Sequence, residues 1–249
     1  MTAATSNGPV TIGERDGIML ASIGHGKVNA LDTELLNALG DAFRSFADAR
    51  AVVLTGEGRT FSAGVDLRRL IDGGRSYAEE FFAALDDAFT AAFTCPVPVV
   101  AAINGHAIAG GCVLAAAADV RVMSAGTIGL PELKVGVPFP AVTVEIMRHL
   151  LGERLAPVVY SAEGYAPDAA LAQGLVDEVS TPDELSRLAF ERAAELAAGV
   201  PSTFAVVKAS LRAPALERIR SVEGEPARMA ELWTRADVLE AAERVLTRV

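Results

Sequence analysis

At 249 residues with 51% hydrophobic side chains, the chain is long enough for one large domain and too apolar to be disordered. A formal net charge of −10, with no basic run, argues against an open nucleic-acid surface. No uncharged apolar run reaches about eighteen residues and MTAATSNGPV carries no secretory pattern, so the expectation is a cytoplasmic protein without a membrane span.

Val10 to Glu14 and Ile18 to Ile23 read as short strands around Asp16-Gly17, a hairpin signal. Asp32 is placed to cap a helix whose Leu35, Leu36, Leu39, Phe43 and Phe46 form an apolar stripe. Ala51 to Thr55 is a buried-type strand leading into a loop with Gly56, Gly58 and Gly64. Phe81, Phe82, Leu85 and Phe89 at helical spacing predict a helix over 76–93, which Cys95-Pro-Val-Pro98 ends. Val99 to Ile103 is the next strand, running into Asn104-Gly105. Gly110-Gly111 then opens an Ala-rich helix over 111–118, followed by a strand from Val120 to Met123.

After Pro140 the chain turns helical. Ala-rich helices are expected over 183–198 and 202–211, with a last one near 235–249, and strand signals vanish. The alternation of strands and helices before that point indicates an α/β fold with mostly parallel crossovers. The division expected is an α/β core over 1–190 and a helical segment over 191–249. No internal sequence repeat is visible.

The two strand–glycine–helix junctions, at 51–67 and 97–118, carry the chemistry. Glycine at a helix start bares backbone N–H groups, and the helix dipole adds roughly +0.5 charge there. Two such junctions converging on one carbonyl oxygen would form an oxyanion hole. Losing one donor from such a hole typically costs about 2.7–4 kcal/mol of barrier. The other candidates are plainer. Cys95 and Cys112 have no metal or redox spacing and read as buried thiols. His25, His106 and His149 form no metal spacing, and His106 reads as a packing or hydrogen-bonding residue. Ser62 lacks the GxSxG elbow of serine hydrolases, and no Walker or Rossmann fingerprint is present.

FSAGVDL (61–67), AINGHAIAGGC (102–112) and IGLPELKVGV (128–137) resemble the crotonase superfamily of enoyl-CoA hydratases and isomerases. The likeness runs from VNALD (28–32) to AQGLVDEV (172–179). It implies a ClpP/crotonase-like spiral of ββα units, with the C-terminal helices supporting a homotrimer or a dimer of trimers. It also implies an acyl-CoA thioester substrate and no separate cofactor or metal, CoA being part of the substrate. The oxyanion donors fall on the N–H groups of Val65 and Gly110, with Gly111 the near alternative for the second. Ala63 falls where a backbone carbonyl holds adenine, and Lys27 and Val28 border the CoA. Gly64, Asp66 and Leu67 belong to the same substrate-binding turn, although Asp66 also suits a helix cap. Some of the Phe81–Phe93 aromatics could line an acyl tunnel together with a loop over 70–76.

Hydratases of this family carry two glutamates. Here the first position is Val113 and the second is Glu132. Adding water across a double bond needs water activation and proton delivery, which two carboxylates share. Valine does neither and makes the site drier. One carboxylate suffices for 3-enoyl to trans-2-enoyl isomerisation, and VGVPFPAV (135–142) resembles the bulkier isomerase segment. A hydratase with altered architecture, a thioester hydrolase and a catalytically weak acyl-CoA-binding protein stay as alternatives. Asp66, Asp72, Glu145 and Glu163 are carboxylates that could substitute for Glu132.

Overall fold

The computed structural model describes residues 5–247. β1 (Thr5–Asn7), β2 (Val10–Arg15) and β3 (Ile18–Ile23) form an antiparallel run at one edge of the main sheet. Asp16 and Gly17 take φ of 56° and 76°, the paired positive values of a tight hairpin turn whose twist matches its strands.

After β4 (Ala30–Leu31) and α1 (Thr33–Ser45), the chain repeats one pattern. β5 (Ala51–Gly56) enters the main sheet and β6 (Thr60–Ser62) enters a second sheet; β7 (Gly64–Val65) then leads into α2 (Leu67–Thr94). β8 (Val99–Ile103), β9 (His106–Ile108) and α3 (Gly110–Ala116) do the same. So do β10 (Val120–Met123), β11 (Ile128–Gly129) and α4 (Glu132–Val135). This is the ββα spiral that the resemblance implied. Next come α5 (Ala141–Leu151), α6 (Leu155–Ser161), β12 (Gly164–Tyr165), α7 (Pro167–Gln173) and β13 (Glu178–Val179). The remainder is helical: α8 (Leu185–Leu196), α9 (Pro201–Arg220), α10 (Glu225–Trp233) and α11 (Ala236–Leu246).

The main sheet runs β1-β2-β3-β5-β8-β10-β13, parallel from β3 onward. The second runs β12-β11-β9-β6, and β4 pairs with β7. The central strands are apolar on both faces, as parallel strands covered twice must be. Val52, Leu54, Ala101 and Ile103 face the larger core. Ala51, Val53, Val100 and Ala102 face the other way, where Leu185, Ala189 and Ala193 of α8 cover them. Asp32 and Asp66 cap α1 and α2, accepting from Leu35 N–H (2.9 Å) and Arg69 N–H (3.0 Å).

The structure departs from the sequence reading in α2, beyond Pro140 and in the C-terminal helices. α2 starts at Leu67, so 70–76 is no open loop, and the break is confined to Gly74 at φ 61°. β12 and β13 lie beyond Pro140, where no strand was expected; two-residue strands are too short to show a period. α9 continues to Arg220 past Pro214, and α10 falls in the segment expected to be helical but was not set apart as a helix of its own. Residue 190 falls inside α8, the helix that closes the main sheet.

The C-terminal helices are bound into the core. Asp119, just before β10, accepts from Lys208 Nζ (2.6 Å) and Arg212 Nη2 (2.7 Å) of α9, and from Val99 N–H (2.8 Å). Arg212 also donates to the Phe93 carbonyl. Trp233 of α10 meets the Phe82 ring of α2 edge-on, with centroids 5.4 Å apart. Among the described residues, no helix is long and apolar enough to cross a membrane.

Candidate active site

The two glycine turns meet. A Cβ on Gly64 would lie 2.6 Å from the Ile108 carbonyl and 3.1 Å from the Gly110 nitrogen, so only glycine lets the β6–β7 turn approach the start of α3 this closely. Gly111 sits against the Ser62 carbonyl in the same way. Asp66 N–H donates to Leu31 O (2.9 Å); alternation along the strand therefore turns Val65 N–H away from β4. Gly110 is the first residue of α3, where an N–H has no acceptor within the helix. Ala109, which precedes it, holds φ 52° and ψ −122°, a costly conformation for a residue with a Cβ.

A cavity of about 200 Å³ lies beside this junction. Ala63, Val65, Leu67 and Gly110 form one side of it, and Phe82 and Leu85 of α2 another. Phe139 and Thr143 line it from the α4–α5 region, and Trp233 and Val245 from the C-terminal helices. Glu132, the first residue of α4, is the one ionisable side chain among the described lining residues. It is 7% exposed, and its Oε2 is buried with no hydrogen-bond partner among the described residues. Burial disfavours the charged form and, outweighing a hydrogen bond from its own backbone N–H, pushes its pKa up to about 7. The carboxyl is therefore poised between acid and base near neutrality, as acid–base catalysis requires.

The remaining predicted residues sort differently. Lys27 and Val28 are exposed, and they do not line the cavity. Gly64 and Gly111 shape the junction from beneath rather than facing the space. Asp66 faces an outer surface groove with Arg69 and Tyr77. Val113, which the resemblance places among the substrate-binding residues, is fully buried in the main core and does not line the cavity. Of the aromatics on α2, Phe82 lines the space, while Phe81, Phe89 and Phe93 are core.

None of the substitute carboxylates lines the cavity. Glu145 is paired with Arg148 (3.2 Å) and Arg218 (2.5 Å), and Glu163 with Lys134 (2.8 Å). Asp72 lies in the outer groove with Asp66. His106 is exposed and bonds Thr127 Oγ1 (3.0 Å). Ser62 Oγ donates to Asn29 O (2.8 Å), a structural role. Cys95 and Cys112 are buried free thiols, and burial pushes both thiol pKa values up. The fold brings His25, Asp32 and Glu34 together, but Asp32 is already shared by His25, Arg69 and the Leu35 N–H.

Sequence reasoning missed Phe139, Thr143, Trp233 and Val245. The chain's single tryptophan was the available signal for one of them. Its Nε1–H donates to Pro138 O (3.1 Å), which ties α10 to the cavity wall.

A family model for enoyl-CoA hydratase/isomerase matches residues 14–241. The chain is 33% identical over 218 residues to a carnitinyl-CoA dehydratase of Salmonella typhi, spanning 84% of this chain and 79% of that protein. A Mycobacterium tuberculosis protein 32% identical to this chain has two solved structures. One, described as a probable enoyl-CoA hydratase, superposes with TM-score 0.83 over 96% of this chain and 100% of its own. The other, described as an enoyl-CoA isomerase, superposes with TM-score 0.81 over 90% and 97%. The human mitochondrial Δ3-Δ2-enoyl-CoA isomerase shares the fold at TM-score 0.93, with 21% identity and 97% and 98% coverage. With that fold and those matches, the chain belongs to the enoyl-CoA hydratase/isomerase family of crotonase-fold enzymes acting on acyl-CoA thioesters.

Proposed function

We propose that the protein isomerises 3-enoyl-CoA to trans-2-enoyl-CoA with Glu132 as its single acid/base. The observation that carries this reading is Glu132 itself, a buried carboxyl with a free oxygen on an apolar cavity beside the glycine junction. The ionised carboxylate removes a proton from C2 of the thioester. Negative charge moves to the thioester oxygen, where the N–H groups of Val65 and Gly110 receive it. Electron density then returns through C2–C3 to C4, which takes the same proton back from Glu132. One double bond shifts, and no atom is gained or lost. Apolar walls limit competing hydration and proton leakage to solvent.

The family includes enzymes that add or remove water as well as isomerases. Val113, in the place of the first hydratase glutamate, favours the second chemistry. Assembly as a cytoplasmic homotrimer or dimer of trimers belongs to this reading. Val207 and Leu211 on α9 are exposed apolar side chains that self-association would cover, and light scattering checks the subunit number.

The test is product and solvent-deuterium analysis on a 3-enoyl-CoA, with wild type and Glu132→Gln side by side. Conversion to the 2-enoyl product, about 10²–10⁴-fold slower in the variant, is expected. Equal turnover in both overturns Glu132 as the base. Inertness of both with intact thioester binding makes the protein a binder rather than an enzyme. Water addition or thioester cleavage as the main outcome would assign the hydratase or hydrolase chemistry instead.

A further inference from the structure

A second cavity, of about 350 Å³, lies against the first, and Phe139 and Thr143 line both. Its inner walls are apolar, from Leu130, from Val144 and Met147 of α5, and from Val159 of α6, and it opens to solvent past the exposed Arg148, Glu153 and Tyr160. We propose that Phe139 is the partition that limits acyl-chain length, with the second cavity as a closed-off continuation of the acyl site. This rests on the acyl-CoA reading above.

Three observations carry it. The near cavity alone is about 200 Å³, below the roughly 300–1,000 Å³ of sites that enclose a drug-sized ligand, whereas the two together would fall within that range. The residues common to both linings are one aromatic ring and one buried threonine, and Phe139 is the larger of these two side chains between the spaces. That ring is also held in place. Phe139 stands between Pro138 and Pro140, whose φ angles are fixed by their rings. The turn is clamped to α10 at both ends, by Trp233 Nε1–H to Pro138 O (3.1 Å) and by Ala141 N–H to Glu225 Oε1 (2.9 Å). A fixed partition gives a sharp length limit, and the wild type is accordingly selective for short acyl groups.

The experiment is direct binding of saturated acyl-CoAs from four to sixteen carbons, which needs no turnover. Each methylene newly buried should tighten binding about fourfold. In wild type the gain stops where the tail meets Phe139. In Phe139→Ala it continues at about fourfold per methylene for several more carbons, and Phe139→Leu lies between. Ala156 lines the second cavity and is exposed, so Phe139→Ala/Ala156→Phe refills the space and restores the wild-type limit. A limit at the same length in wild type, Phe139→Leu and Phe139→Ala overturns the partition while leaving the acyl-CoA reading intact. So does a gain that survives Ala156→Phe. Failure of the wild type to bind any acyl-CoA overturns both.

Discussion

Asp119 stands just before β10 and Glu132 just after β11, and the fold treats these two carboxyls in opposite ways. Asp119 is met by Lys208, Arg212 and the Val99 N–H, all within 2.8 Å. Lys208 and Arg212 are 6% and 4% exposed, and burial pulls both pKa values below their ordinary range. One carboxylate joins two buried cations, so the cluster works as a clasp between α9 and the main sheet. Glu132 is buried more deeply than Asp119, and its Oε2 has no partner among the described residues. A buried polar group without a partner costs stability, which a fold retains where the group has work to do. Burial alone therefore does not mark a functional carboxyl; burial without a partner, on a cavity wall, does.

The comparison can be broken most forcefully at the clasp. Asp119→Ala leaves two buried cations facing one another and should cost about 3–5 kcal/mol in denaturant unfolding. Replacing Asp119, Lys208 and Arg212 together with apolar residues of similar volume should be neutral or better, because the cost of burying the three charges offsets their attraction. A large loss in the triple variant would show that the clasp contributes more than it costs.

Glu132 should behave inversely. Its carboxyl titrates near 4.5 when unfolded and near 7 when folded, so between these values the native state holds more protons. Stability should fall as pH rises from about 4.5 to 7 and then level off, the total being about 3 kcal/mol. Glu132→Gln removes that loss. Its melting temperature should match wild type near pH 4.5 and exceed it at pH 8, even as activity falls. A variant less stable than wild type at pH 8 would mean that the carboxylate has a structural partner after all.

A smaller effect tests the cavity wall. Trp233→Phe keeps the ring against Phe82 and removes the bond to Pro138 O, at a cost of about 1 kcal/mol. Loosening the 138–141 turn should raise KM for acyl-CoA more than it lowers kcat. The reverse pattern would place Trp233 in the chemical step.

The glycine junctions were legible in the sequence because they obey local rules. Strand, glycine and helix follow one another within a few residues, and the spacing of the three motifs placed Glu132 by resemblance. The Asp16-Gly17 hairpin and the Asp32 and Asp66 caps were legible for the same reason. Features built across long sequence distances were not. Lys208 is 89 residues from Asp119, and Trp233 is 95 from Pro138, so no local pattern signals either contact. The ββα repeat is a repeat of strand pairing rather than of residues, since its second strands are only two or three residues long. Val113 shows the limit of reading by motif: its position in the family pattern was clear, but only the fold shows its side chain buried in the core instead of lining the cavity.

The most direct test of the central claim is the pH dependence of kcat/KM for 3-enoyl-CoA isomerisation by wild type and Glu132→Gln. An unpartnered carboxyl acting as base predicts a rise of about tenfold per pH unit below 7, a plateau above it, and loss of that inflection in the variant. A wild-type inflection near the ordinary carboxyl value of 4.5, or the same inflection near 7 in Glu132→Gln, would contradict it.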